Sequence, residues 1–164
     1  VIVGGVDVGL SGAIALLDTS GEETPQIWDM PTLQLSRGGK VKREVNAYVL
    51  ADMLRAQRIG HLFIEQVWAM PGQGSSSGFA LGQAFGVARG VAAAIGIPMT
   101  FVAPKKWKAD LGVPAAKDGA RARASQLLPS AADQWPLVKH DGRAEAALIA
   151  LWGIRSLNLI ASAA

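Results

Sequence analysis

No cysteine occurs in the 164 residues, which excludes a disulfide framework, a zinc ribbon and a thiol nucleophile together. Any metal site must therefore be built from oxygen or histidine ligands. Charge is scarce too. Only 18% of the residues are Asp, Glu, Lys or Arg against 50% hydrophobic, the balance of a well-packed globular chain, and one domain over residues 1–164 is expected. The apolar stretches are short or interrupted by polar and charged residues, as the Gly-repeat helix pattern is by Gln83 and Arg89, so a membrane span is excluded. The N-terminus enters an apolar run with no basic region or signal core, so a cytoplasmic protein is expected. Positive charge is missing altogether from residues 1–36, which hold five acids and no Lys or Arg.

The formal net charge of +3 comes from two later clusters. Arg37, Lys40, Lys42 and Arg43 arrive within seven residues, and Lys105, Lys106, Lys108, Lys117, Arg121 and Arg123 crowd a second segment diluted only by Asp110 and Asp118. Either cluster alone would read as a solvated surface. Two of them flanking an acidic, apolar centre favour contacts to the phosphates of a nucleic acid.

That centre begins at Gly4–Asp18, GGVDVGLSGAIALLD. β-Branched residues at 1, 2, 3, 6 and 8 and an apolar run over 13–17 predict two antiparallel strands, with Gly9, Ser11 and Gly12 turning between them. Asp7 falls within the first strand, where a carboxylate is a poor strand former and costly to bury ionised; it calls for a cation or a hydrogen-bond partner. Residues 26–30 predict a third strand, and Leu35–Lys42 reads as a polar, flexible loop able to grip a backbone. A helix follows from an N-cap at Asn46, with Val49, Leu50, Met53 and Leu54 on one face.

Residues 61–67, HLFIEQV, read as a buried central strand that repeats the puzzle of Asp7 at Glu65. A Gly-, Pro- and Ser-rich loop over 68–77 comes next, led by Trp68, which would either cap the core or stack on an exposed base. The helical pattern over 78–95 places glycines at 78, 82, 86 and 90 near one face, so that face should be approached closely by the sheet or by a second subunit. A short strand at 98–102, a helix opened by Pro104 and carrying KKWK, a helix at 116–128, a loop at 130–138 and a last helix from Asp141 to Leu157 complete the chain. His140, beside that last helix start, reads as a local cap or surface residue. Three strands, then helix, strand, helix, strand and helices predict an α/β fold with a mixed five-stranded sheet and helices on both sides.

Asp141 and Glu145 are four apart, about 40° from each other on one helical face. If the first and fourth strands are neighbours and this helix lies across them, Asp7, Glu65, Asp141 and Glu145 form a four-carboxylate cluster. Asp141 is equally at home as a helix N-cap with no metal. Hard oxygen ligands without thiols favour Mg²⁺ or Mn²⁺, and two such ions about 4 Å apart suit in-line phosphodiester hydrolysis.

GVDVGLSGAIALLD, FIEQVW, LGQAFGVARGV and DGRAEAALIA, in this order over nearly the whole chain, resemble the RuvC-type Holliday-junction resolvases of the ribonuclease H-like superfamily. The resemblance implies a ribonuclease H-like fold and a homodimer that nicks a four-way DNA junction symmetrically, using two Mg²⁺ per active site with Mn²⁺ as a substitute. It implies Asp7, Glu65 and the C-terminal acids as ligands, Trp68 as the aromatic that stacks at the opened junction centre, and Lys105, Lys106 and Lys108 as backbone contacts. Branch-migration proteins are partners that it allows and the sequence does not specify. One departure stands out: the bacterial enzymes carry their last two acids three apart in an Asp-Ala-Leu-Ala setting, so matching Glu145 to the final acid leaves Gly142 at the earlier one. A phage-like or divergent member fits that spacing. Three other classes stay open: a nuclease of the same fold acting on other branched or duplex nucleic acid, a non-catalytic junction-binding module, and an actin-like phosphate-binding hairpin, which would need a second domain.

Overall fold

The computed structural model describes residues 1–68, 72 and 74–161, with the side chains of all of these except 37 and 158–161. Strands β1 (Ile2–Asp7), β2 (Ala13–Asp18) and β3 (Gln26–Asp29) form the expected meander. β4 (Thr32–Arg37) and β5 (Lys40–Val45) follow, then α1 (Ala47–Arg55), β6 (Ile59–Glu65), α2 (Ser75–Ala94) and β7 (Met99–Val102). α3 (Pro104–Asp110), α4 (Gly119–Leu127), short 3₁₀ turns at 129–134 and 138–140, and α5 (Asp141–Ala161) end the described chain. The main sheet is mixed and five-stranded in the order β3-β2-β1-β6-β7, with β1 antiparallel to β2 and parallel to β6.

Strand alternation sends residues 3, 5 and 7 of β1 and residues 63 and 65 of β6 to one face. That face carries α3, α4 and α5 around Val3, Phe63, Trp107, Trp135 and Leu148. Val6, Leu62 and Ile64 point the other way, into a core with Leu50 and Leu54 of α1 and Ala84, Ala88 and Ala92 of α2. α5 sits directly on β1, because Gly5 has no side chain: a methyl there would overlap the backbone of Ala146 and Ala150. The α5 run Ala146–Ala150 is fully buried in consequence.

Three expectations change. Residues 35–42 are not a flexible loop but most of a β-hairpin, with Leu35 opposite Lys42 and Arg37 opposite Lys40. The hairpin was hidden by its composition, since Lys40–Lys42 is exposed throughout, Val41 included, and only Val45 of β5 is buried. On α2 the sheet-facing row is Ala84, Ala88 and Ala92, while Gly82, Gly86 and Gly90 lie half a turn round with nothing within 4 Å of where a Cβ would stand. The sheet is thus not the close partner of the glycines. The expected 68–77 loop is described only at 68, 72 and 74–77, and α2 already begins at Ser75.

Candidate active site

Asp7 ends β1 and Glu65 ends β6, one step beyond the Val6–Ile64 pair of the parallel ladder. Both side chains face α5, whose second turn supplies Glu145. The three carboxylates come together so closely that one oxygen from each lies within 4.8 Å of the others. Asp7 is partly open to solvent while Glu65 is 8% exposed, so the cluster has a mouth and a buried wall.

Such an arrangement is electrostatically unfavourable by itself. Burial pushes the Asp7 carboxyl well above the usual aspartate range, and the Glu145 and Glu65 charges push it further. Burial also raises Glu65, with Glu145 adding to it and a hydrogen bond from Trp107 opposing it. The Trp107 indole Nε1 donates to Glu65 Oε1 at 3.0 Å from a fully buried ring. Lys108, on the next position of α3, bonds Glu145 Oε1 at 2.7 Å; burial lowers its affinity for the proton, but the Glu145 bond and the three carboxylate charges outweigh it and raise it overall. Hard, anionic oxygen donors held together against their own repulsion fit a divalent cation of the Mg²⁺ or Mn²⁺ type.

Asp141 is outside this group. Its Oδ1 accepts from Arg121 Nε at 2.6 Å, and its backbone, at φ −55° and ψ −42°, is already helical, so it is the first residue of α5 rather than an N-cap. The four-acid cluster expected from the one-turn spacing is therefore three acids plus an ion pair. Gly142 takes the space beside Asp7: a Cβ on it would stand 2.9 Å from Asp7 Oδ2 and 2.6 Å from the Ser11 carbonyl oxygen. No side chain, acidic or otherwise, fits there without moving the β1–β2 turn.

The expected DNA contacts divide by what already holds them. Lys105 and Lys117 are exposed and, with Lys108, line a cleft of about 550 Å³ that also contains Glu145 and Asp141. Lys40 and Lys42 are exposed along β5. Lys106 is paired with Asp110 at 2.7 Å, Arg121 with Asp141, and Arg123 with the Leu111 carbonyl and Gln126. Arg43 reaches back to the Leu10 carbonyl of the β1–β2 turn at 2.9 Å. The side chain of Arg37 lies outside the described residues. Trp68 is 53% exposed just past Glu65, which removes the core-lid reading. Sequence reasoning missed Trp107 and the close packing at Gly142. The signal for Trp107 was a tryptophan inside a basic segment, since a buried indole N–H needs an acceptor and a buried carboxylate needs donors.

No family model and no curated protein matches the sequence. Solved structures do match over nearly the whole chain. RuvC from Thermus thermophilus in complex with a Holliday junction substrate aligns with a TM-score of 0.63 at 15% identity, over 96% of this chain and 95% of that one. A second Thermus thermophilus RuvC structure gives 0.59 at 16% identity, over 96% of both chains. The fowlpox virus Holliday junction resolvase gives 0.51 at 15% identity, over 96% of this chain and 99% of that one. The chain has the α/β fold of these resolvases, a ribonuclease H-like architecture.

Proposed function

We propose that this protein is a Holliday-junction resolvase, a divalent-cation-dependent endonuclease whose residues 1–164 act as one nuclease domain. The observation that carries the reading is the meeting of Asp7, Glu65 and Glu145 at the C-terminal ends of the interior strands β1 and β6 of a resolvase-like sheet. Support comes from the fold shared with proteins described as resolvases, one of them in complex with a Holliday junction substrate.

Asp7, Glu65 and Glu145 would hold the cation. When bound, a Mg²⁺ pair would supply Lewis-acid polarisation of the phosphodiester and a water acidic enough to attack at neutral pH. The chain's own residues do the rest. Trp107 fixes the Glu65 oxygen without adding charge. Lys108 holds Glu145 Oε1 at 2.7 Å and sets a positive charge beside the carboxylates, where it would meet a phosphate oxygen of bound DNA. Lys105 and Lys117 line the way in for a negatively charged backbone, and Trp68 offers a stacking surface beside the acidic strand.

A symmetric pair of nicks requires two active sites. The open glycine row of α2 supports a homodimer, because helix-interior glycines cost roughly 1 kcal/mol each against alanine and a close partner backbone would offset that. A cytoplasmic, DNA-associated location is part of the same proposal; no helix among the described residues is long and apolar enough to cross a membrane.

Equimolar four-way junction, Y-fork, duplex and single strand, offered together with Mg²⁺ and mapped at nucleotide resolution, test the reading. Paired nicks at symmetric positions of the junction are expected. Equal cutting of all four would indicate a general nuclease of this fold, and binding without cutting a junction-binding module.

A further inference from the structure

Across the β1–β2 turn from the carboxylates lies a second concave site. A cavity of about 350 Å³ opens between Leu10–Gly12, the β3–β4 corner and the segment leading into α5. Its walls carry Arg43, Lys139, His140 and Arg143 against one acid, Asp29. That acid is already occupied: Arg143 holds both of its oxygens, Nε to Oδ1 at 2.6 Å and Nη2 to Oδ2 at 2.7 Å.

Among the described residues the remaining cationic donors make no ion pair, and the Lys139 and His140 charges reach Asp29 only as weaker effects behind that of Arg143. Arg43 is oriented by two neutral acceptors, the Leu10 carbonyl at 2.9 Å and Thr32 Oγ1 at 3.3 Å, which fix the guanidinium while leaving its charge in place. Lys139 is exposed and makes no hydrogen bond or ion pair among the described residues. His140 accepts the Leu137 N–H at Nδ1, at 3.4 Å, so its ring proton sits on Nε2 as a donor. A planar guanidinium, an ammonium and an imidazole N–H around one concavity, with the only acid neutralised, suit a tetrahedral oxyanion. The pocket is also close to the reaction centre: the Ser11 carbonyl, on its wall, and Asp7 Oδ2 lie 2.6 Å and 2.9 Å from the same point above Gly142.

We infer that this pocket binds a non-scissile backbone phosphate of the DNA held in the active site, with Arg43 and Lys139 as its principal cations. The inference rests on the nuclease reading and adds a contact that sets where along the strand the scissile bond lies. Junction binding should be measured in EDTA against salt for the full chain and for Lys139→Ala and Lys139→Arg, with phosphate-ethylation interference on each. Lys139→Ala should bind several-fold more weakly at low salt, flatten the log K against log salt slope by about 0.9, and lose interference at one phosphate away from the nick. Lys139→Arg should restore all three. A titration of the parent with inorganic phosphate, followed at the His140 ring, separates sources: ring shifts together with parental DNA binding by Lys139→Ala would make the pocket a small-anion site and overturn the DNA assignment. A parent that binds none of the DNAs defeats the nuclease reading and this inference with it. A parent that nicks junctions while Lys139→Ala keeps its affinity, slope and interference pattern defeats this inference alone.

Discussion

Glu65 is 8% exposed, and the indole N–H of the fully buried Trp107 gives it a hydrogen bond from the core side. A hydrogen bond to a charged group is worth about 1.5–3 kcal/mol, so Trp107→Phe, which keeps an aromatic ring of smaller volume and removes the donor, should raise the Mg²⁺ needed for half-maximal nicking with the fold retained. An unchanged Mg²⁺ titration would reduce Trp107 to a packing residue. Asp141 should behave oppositely: paired with Arg121 and outside the cluster, its Asn variant should nick with the parental Mg²⁺ dependence, whereas Glu145→Gln should not. Trp68→Ala should impair junction cleavage well beyond its effect on Tm, by about 1–3 kcal/mol of stacking, and normal cutting by that variant would remove Trp68 from the site. Asp7, Glu65 and Glu145 were legible because carboxylates in apolar strands and helix bodies need a reason to be there. Asp141 was misplaced because a one-turn spacing fixes direction about the helix axis and not distance. Gly142 against the β1–β2 turn decides how close that end of α5 comes, and no periodicity reports it.

At the scale of elements, the hydrophobic patterns of β1, β2, β6 and α5 located the parts that carry the acids, and the parallel β1–β6 pair then brought Asp7 and Glu65 together. The β4–β5 hairpin was not legible, since an edge ribbon with Lys40 and Lys42 on its outer side has almost no buried face to imprint a period of two. α2 was legible as a helix but not in its orientation: alanine and glycine rows both permit close approach, and the alanines took the sheet. The glycine row now makes a prediction about assembly. Gly86 is exposed and a Cβ there would meet nothing within 4 Å, so a Gly86→Arg side chain can extend into solvent; the variant should fold with parental or slightly higher Tm and sediment as a monomer where the parent is a dimer. A dimeric Gly86→Arg protein would move the subunit contact to another surface.

For the molecule as a whole, the carboxylate cluster ties stability to pH and, on the proposed function, to metal. An acid whose affinity for protons rises on folding binds more protons folded than unfolded, so its stabilisation is complete below its unfolded value and is lost as pH rises through the folded one. Asp7, with an ordinary value of 3.8, is raised well above it by burial and by Glu145 and Glu65, and Glu65 is raised from 4.5. Asp18 runs the other way, held down to about 2 by its Ser20 and N-terminal hydrogen bonds, and Asp29 is lowered by Arg143. Their stabilisation is present above 3.8 and lost in acid. In EDTA the Tm should therefore peak near the ordinary carboxyl values, fall below them as Asp18 and Asp29 protonate, and fall above them as Asp7 and Glu65 are forced to ionise. On the proposed function Mg²⁺ would bind the ionised cluster, so its addition should leave the acid limb alone and raise Tm by an increment that grows with pH. Asp7→Asn removes the most strongly perturbed acid: its metal-free Tm should exceed the parent's at neutral pH, and its Mg²⁺ increment should shrink. A parent whose metal-free Tm is flat from pH 4 to 7, or an Asp7→Asn protein with the full Mg²⁺ increment, would show that the three carboxylates are not the cation's seat.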